Sequence, residues 1–217
     1  MRKTTVLACL LATLAPLSHA EGADSAHNPS GLRPFLGLGF TSGGDTLIPI
    51  TVVVRNSSTR YRESISSGGG LDLRFGLSQR LGELPLTLQL AGVYHNDQTN
   101  GVEGSKYRFR RLPVEATLLW HATDRARIGF GVRKATNAVL KIDNGRFTDA
   151  QGNEFTASGK AGLKASLGWI VEAEYALTPG WSLKGRYVFE SFRFRELPDG
   201  EKFEANHLGI QSVWYLN

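Results

Sequence analysis

Most of the side chains able to do chemistry in this 217-residue chain are charges set at even intervals. Asp72 and Arg74, Arg127 and Arg133, Glu172 and Glu174, and Lys184, Arg186 and Glu190 recur this way, joined by Glu115 and Lys164. On an extended backbone, an even spacing puts side chains on one face. Such a row serves one of two ends. Lining water, it carries ions or protons. Enclosed, it pairs off internally, because a buried charge needs a partner. The near balance of acids and bases favours pairing, with the conducting path as the alternative.

The other reactive types are sparse. His95 stands with Asn96 and Asp97, and a histidine with an acid and a hydroxyl is the hydrolytic set; no His-x-Ser stretch accompanies it on a matching segment. His121 falls at a short turn and reads as a solvated or interfacial side chain. His207 reads as enclosed and hydrogen-bonded among carboxylates. No histidine pair has metal-ligand spacing, so neither a metal nor a cofactor is expected. Gly37-Leu38-Gly39 has the look of a phosphate loop, but no helix follows it. Cys9 is the sole cysteine, which excludes a disulfide framework. Arg55, Arg60 and Arg62, with Arg193 and Arg195 further on, carry guanidinium forks that match phosphate geometry; a solvated rim is the alternative.

Strands must position these residues. Leu163, Ala165, Leu167, Trp169, Val171, Ala173, Tyr175 and Leu177 occupy every odd position, and after Thr178-Pro179-Gly180 the pattern resumes at Trp181. A period of two is the strand signature. Similar runs cover Leu32 to Thr41, Gly70 to Ser78, Leu84 to Tyr94, Tyr107 to Trp120, Ile128 to Arg133 and His207 to Leu216. At Arg110-Arg111 the apolar parity slips, which predicts a bulge beside Pro113. Short connections (Gly82-Glu83, Ala122 to Arg125, Thr178 to Gly180) alternate with long ones (Ser42 to Ser67, His95 to Lys106, Asp143 to Ser158, Glu196 to Asn206). The first long connection reads as a protruding hairpin, with Asn56-Ser57-Ser58 at its turn.

Arg2 and Lys3 precede an apolar run ending at Ser18-His19-Ala20, the form of a secretory signal over residues 1–20. Residues 21–31 read as a flexible lead-in and 32–217 as one domain. Without Arg2 and Lys3, 23 of the 25 Lys and Arg remain against 20 Asp and Glu, too small an excess to argue for nucleic acid. No stretch past the signal is long enough for a transmembrane helix. A chain that ends inside an aromatic strand leaves an open edge, and closing that strand onto the first removes both edges at once. The expectation is an all-β, eight-stranded antiparallel transmembrane barrel with short turns at one end and long loops at the other. Trp120, Tyr175, Trp181 and Trp214 fall near the short-turn ends, where an interfacial aromatic girdle belongs.

These strands, the alternation of connections and the terminal Leu208-Gly209-Ile210-Gln211-Ser212-Val213-Trp214-Tyr215-Leu216-Asn217 resemble the small OmpA/OmpW-like outer-membrane barrels of Gram-negative bacteria. The resemblance covers Leu32 to Asn217. It implies export to the outer membrane, contact with membrane lipid and lipopolysaccharide, and handling by the barrel-assembly machinery. That machinery reads an aromatic last residue, where this chain has Leu216-Asn217. The functional expectation is a non-enzymatic envelope or surface-contact protein with a polar, plugged lumen. The alternatives are a narrow channel for small or hydrophobic molecules and a lipid A-modifying enzyme using His95.

Overall fold

The computed structural model describes residues 31–53, 60–100, 104–148, 154–196 and 202–216, and side chains within these outside 48–64 and 146–154. The expected signal, nearly all of the lead-in, Arg55 and Asn56 lie outside the described residues, as do the side chains of Arg60 and Arg62.

The strands are β1 (Leu32–Gly43), β2 (Thr46–Val53), β3 (Arg60–Ser66), β4 (Gly70–Arg80), β5 (Leu86–Asn100), β6 (Lys106–Arg111), β7 (Pro113–His121) and β8 (Ala126–Ala135). They continue as β9 (Ala138–Thr148), β10 (Glu154–Ala165), β11 (Gly168–Thr178), β12 (Trp181–Phe189), β13 (Ser191–Phe194), β14 (Phe203–Glu204) and β15 (His207–Tyr215). Eight of them close a barrel in the order β1, β4, β5, β7, β8, β11, β12, β15 and back to β1, antiparallel throughout. The closing seam pairs Phe35 with Tyr215 and Gly43 with His207. Closure satisfies the ladder groups that an open edge would leave bare.

Alternation decides what each strand shows. In β4, Asp72, Arg74 and Ser78 are buried while Leu73, Phe75 and Leu77 are exposed. In β11 the inward set includes Glu172 and Glu174, and the outward set is Trp169, Val171, Tyr175 and Leu177. The barrel therefore wears its apolar residues outside: Val114 is 58 % exposed and Ile210 61 %.

At the long-connection end the strands run on where loops were expected. His95 to Asn100 belongs to β5, Asp143 to Thr148 to β9, and Glu154 to Ser158 to β10. These extensions pair in the order β5, β6, β9, β10, β13, β14. The β2–β3 hairpin forms a separate two-stranded sheet, as the sequence led one to expect. Beside it, the Asp45 amide donates to the Glu204 carbonyl at 2.7 Å, and Ser67 Oγ donates to the same carbonyl at 2.6 Å. Polar composition suggested loops, because water solvates the outer face of these extensions and leaves few apolar residues to mark a strand.

The expected bulge at Arg110-Arg111 is absent. His95 opposes Arg111 and Gly92 opposes Val114 in one unbroken register, and odd positions face inward from Tyr107 through Leu119. What changes is which face is apolar. Tyr107 and Phe109 point in, whereas Val114 and Leu118 point out. The bulge lies on the neighbouring chain segment: the Thr136 amide donates to the Leu112 carbonyl at 2.9 Å, and the Leu112 amide donates to the Asn137 carbonyl at 3.2 Å. Two residues thus oppose one, which lets Ala138 and Leu140 turn inward after Arg133 and Ala135. Inside the extensions, Ile65, Tyr107, Phe109, Leu140, Leu163 and Phe192 pack into one apolar core. Phe109 and Phe192 meet edge to face at 5.5 Å between ring centres.

Candidate functional site

The inward positions of the barrel bring the evenly spaced charges together. Arg74 lies 3.3 Å from Asp72 and 3.2 Å from Glu115. Glu115 is shared with Arg133 at 3.3 Å and Arg186 at 3.0 Å. Lys184 bridges Glu172 at 2.7 Å and Glu174 at 3.2 Å, and Arg127 pairs with the other side of Glu174. Glu190 receives Arg133 at 3.3 Å and Arg111 at 3.0 Å. All of these carboxylates are buried. In a medium of low dielectric each ion is expensive alone and tolerable only in such a mesh.

Two expected placements differ. Lys164 does not join the mesh; it is exposed on the outer face of β10, opposite Arg193 on β13. The parity of β10 and β11 changes across Ser166-Leu167, which sends Ala165 and Gly168 inward and Lys164 out. His207 is buried as expected, but Nδ1 meets the Ala205 carbonyl at 2.7 Å and not a carboxylate.

Arg111 was missed. It sits where the polar interior meets the apolar core, with its guanidinium 5.5 Å from the Phe109 ring centre and 5.4 Å from that of Phe192. Its odd parity with Pro113 and Glu115 marked it as inward, but the supposed bulge hid that signal. Neutral members were missed too. Gln89 accepts from Lys184 Nζ at 2.9 Å and donates to the Tyr215 hydroxyl at 2.7 Å. That hydroxyl donates to Glu174 at 2.6 Å. Gln211 donates to Asp72 at 3.1 Å. No charge marks such residues in a sequence.

His95 is fully enclosed. Its ring lies 3.6 Å from Asp72, 2.8 Å from the Gly69 carbonyl and 3.1 Å from Arg111 Nη2, and 5.7 Å from the His207 ring. It faces the barrel interior, away from the outer rim where a lipid substrate would present itself. His121 is half-buried at the short-turn end, with Nε2 2.7 Å from Thr87 Oγ1. It borders a cavity of about 20 Å³ with Arg33, Arg80 and Arg127. Among the described residues no group of His, Cys, Asp and Glu could hold a metal ion.

Outside, the aromatic residues expected as a girdle stand at the short-turn end. Trp120 and Tyr175 are about half exposed, and Trp181 faces Trp214 across β12 and β15 while donating from Nε1 to Ser212 Oγ at 2.6 Å. At the opposite edge of the apolar belt the outward residues become cationic. Arg110, Lys134, Lys164, Arg193 and Arg195 are all exposed there.

No protein-family model matches the chain, and no curated protein matches it. Solved structures do. Neisserial surface protein A aligns at 13 % identity over 86 % of this chain and 96 % of its own, with a TM-score of 0.44. The attachment invasion locus protein Ail of Yersinia pestis, solved in complex with the heparin analogue sucrose octasulfate, aligns at 10 % identity over 85 % and 96 %, with a TM-score of 0.44. Outer membrane protein H of P. aeruginosa aligns at 11 % identity over 85 % and 99 %, again with a TM-score of 0.44. The likeness is one of barrel architecture.

Proposed function

We propose that the protein is a non-enzymatic, non-conducting barrel of the outer membrane, acting in envelope structure and surface contact. The observation that carries this is the inversion of apolarity along unbroken strands. Tyr107 and Phe109 face in and Val114 and Leu118 face out on one register. A surface that is apolar below and charged above fits a chain leaving hydrocarbon for water. Trp169 to Leu177, at about 3.3 Å per residue and a tilt of about 40°, climb about 20 Å, close to the roughly 25 Å apolar band of membrane barrels.

The same inversion argues against a channel. Above the mesh of paired charges the interior becomes the apolar core around Phe109 and Phe192, which offers an ion no replacement for its water. Below it, Phe35 and Tyr215 pack with ring centres 5.8 Å apart. Arg110, Lys134, Lys164, Arg193 and Arg195 border the belt where lipopolysaccharide phosphates would lie, and guanidinium forks suit phosphate. The enclosure of His95 argues against lipid A chemistry at that residue.

Single-channel recording of the refolded protein in a planar bilayer tests the reading. Inserted protein is expected to stay silent. Steady openings whose size shifts in a Glu172→Gln/Glu174→Gln variant would replace the plug with a pore.

A further inference from the structure

The outer face of β6, β9, β10 and β13 carries a second tier of cations beyond those bordering the belt. Arg108 on β6 lies opposite Lys141 on β9, and Lys141 lies opposite Lys160 on β10. Three cations thus stand in one cross-strand row, and all three are exposed. Like charges directly opposite one another across a sheet are unfavourable. Neighbouring groups relieve the row only in part: Arg108 Nε donates to Gln98 Oε1 at 3.1 Å, and Lys141 meets Asp143 at 2.8 Å. Asp143 is the one carboxylate among the described outward side chains of these four strands, against the seven cations Lys106, Arg108, Arg110, Lys141, Lys160, Lys164 and Arg193. The local excess of six exceeds the formal +5 of the whole chain.

Val139 still points outward on β9 opposite Arg110; beyond it, Lys160 stands about 13 Å along β10 from Lys164, and Arg108 about 7 Å along β6 from Arg110. At Lys160 that exceeds the Debye length of about 8 Å at physiological salt, so phosphates at the belt's edge leave the far end of the row unneutralised. Yet the two tiers are continuous, Arg108 following Arg110 on β6 and Lys160 preceding Lys164 on β10. A ligand that satisfies both must be anchored in the bilayer and carry negative charge at both heights. We infer that the Arg108–Lys141–Lys160 row binds the anionic sugar chain of an outer-leaflet glycolipid, whose phosphorylated anchor meets the lower tier. This rests on the proposed membrane placement and extends it from the headgroup to the sugar.

The test uses the refolded full chain and two purified lipopolysaccharides, one with an intact anionic core and one truncated to the phosphorylated lipid anchor. Affinity is measured for the native protein, for Arg108→Gln/Lys141→Gln/Lys160→Gln and for Arg110→Gln/Lys164→Gln/Arg193→Gln. The upper-row variant is expected to lose about tenfold on the intact glycolipid and to match the native protein on the truncated one. The lower-tier variant should weaken on both. Equal losses of the upper-row variant on the two lipids, or no loss on the intact one, would overturn the inference. So would a loss confined to a soluble sulfated polysaccharide, which would give the row to a free partner. A lower-tier variant unchanged on both lipids would refute the headgroup reading alone. Heat-modifiable gel mobility reports that each variant folds, and the urea midpoint of the upper-row variant should not fall, since its substitutions remove a repulsion. A fall would assign the row a structural role and overturn the inference.

Discussion

Glu115 is the centre of the interior mesh, and its neutralisation is the sharpest test of that mesh. In Glu115→Gln the amide keeps the size of the carboxylate but faces three guanidinium groups, those of Arg74, Arg133 and Arg186, at 3.2, 3.3 and 3.0 Å. All three are almost completely buried, so water cannot take over. Arg74 keeps Asp72, Arg133 keeps Glu190, and Arg186 keeps only Glu172 at 3.9 Å. Arg186 is therefore left worst paired. Removing one partner from a buried ion pair costs about 3–5 kcal/mol. The variant should lose that much in urea unfolding from lipid vesicles, read by tryptophan fluorescence and by gel mobility without boiling. A second substitution separates lost pairing from lost packing. Arg186→Gln alone should also destabilise, and the double variant Glu115→Gln/Arg186→Gln should recover part of the summed loss. The coupling should be about 0.5–3 kcal/mol, the range for residues sharing one network. Unchanged stability of the single variant, or strictly additive losses, would refute the claim that pairing holds the interior together.

Two further outcomes follow from the geometry. Deleting Asn137 removes the extra residue opposite Leu112. Plain alternation from Ala135 then still sends Ala138 and Leu140 inward and Lys141 outward, so the barrel should assemble and keep its heat-modifiable mobility; a deletion that abolishes that mobility would contradict the bulge. Gly131→Ala places a Cβ 2.5 Å from the Ala116 carbonyl oxygen. Backbone cannot yield as a flexible side chain can, so urea unfolding should show a loss of at least about 2 kcal/mol, whereas Gly92→Ala, with nothing within 4 Å, should be tolerated.

Much of this protein was legible in the amino-acid order alone. Period-two alternation in segments such as Trp169 to Leu177 dictates strands, because extended backbone sends neighbours to opposite faces. The tight turns at Gly82-Glu83 and Thr178 to Gly180 set antiparallel neighbours, and the alternating run from His207 to Leu216 reads as a strand, which pairs with β1. The charges at Asp72, Arg74, Glu172, Glu174, Lys184 and Arg186 shared a face in the sequence and share the interior in the structure. Tertiary structure decided the rest. Alternation says that two faces differ, but not which of them is inside, since that depends on whether water or hydrocarbon lies beyond. Hence the inversion between Phe109 and Val114 imitated a bulge, while the true bulge at Thr136-Asn137 made no mark in its own strand. Lys164 and Arg111 exchanged roles for the same reason: parity at a junction is settled by how neighbouring strands pair, and pairing joins residues far apart in the chain.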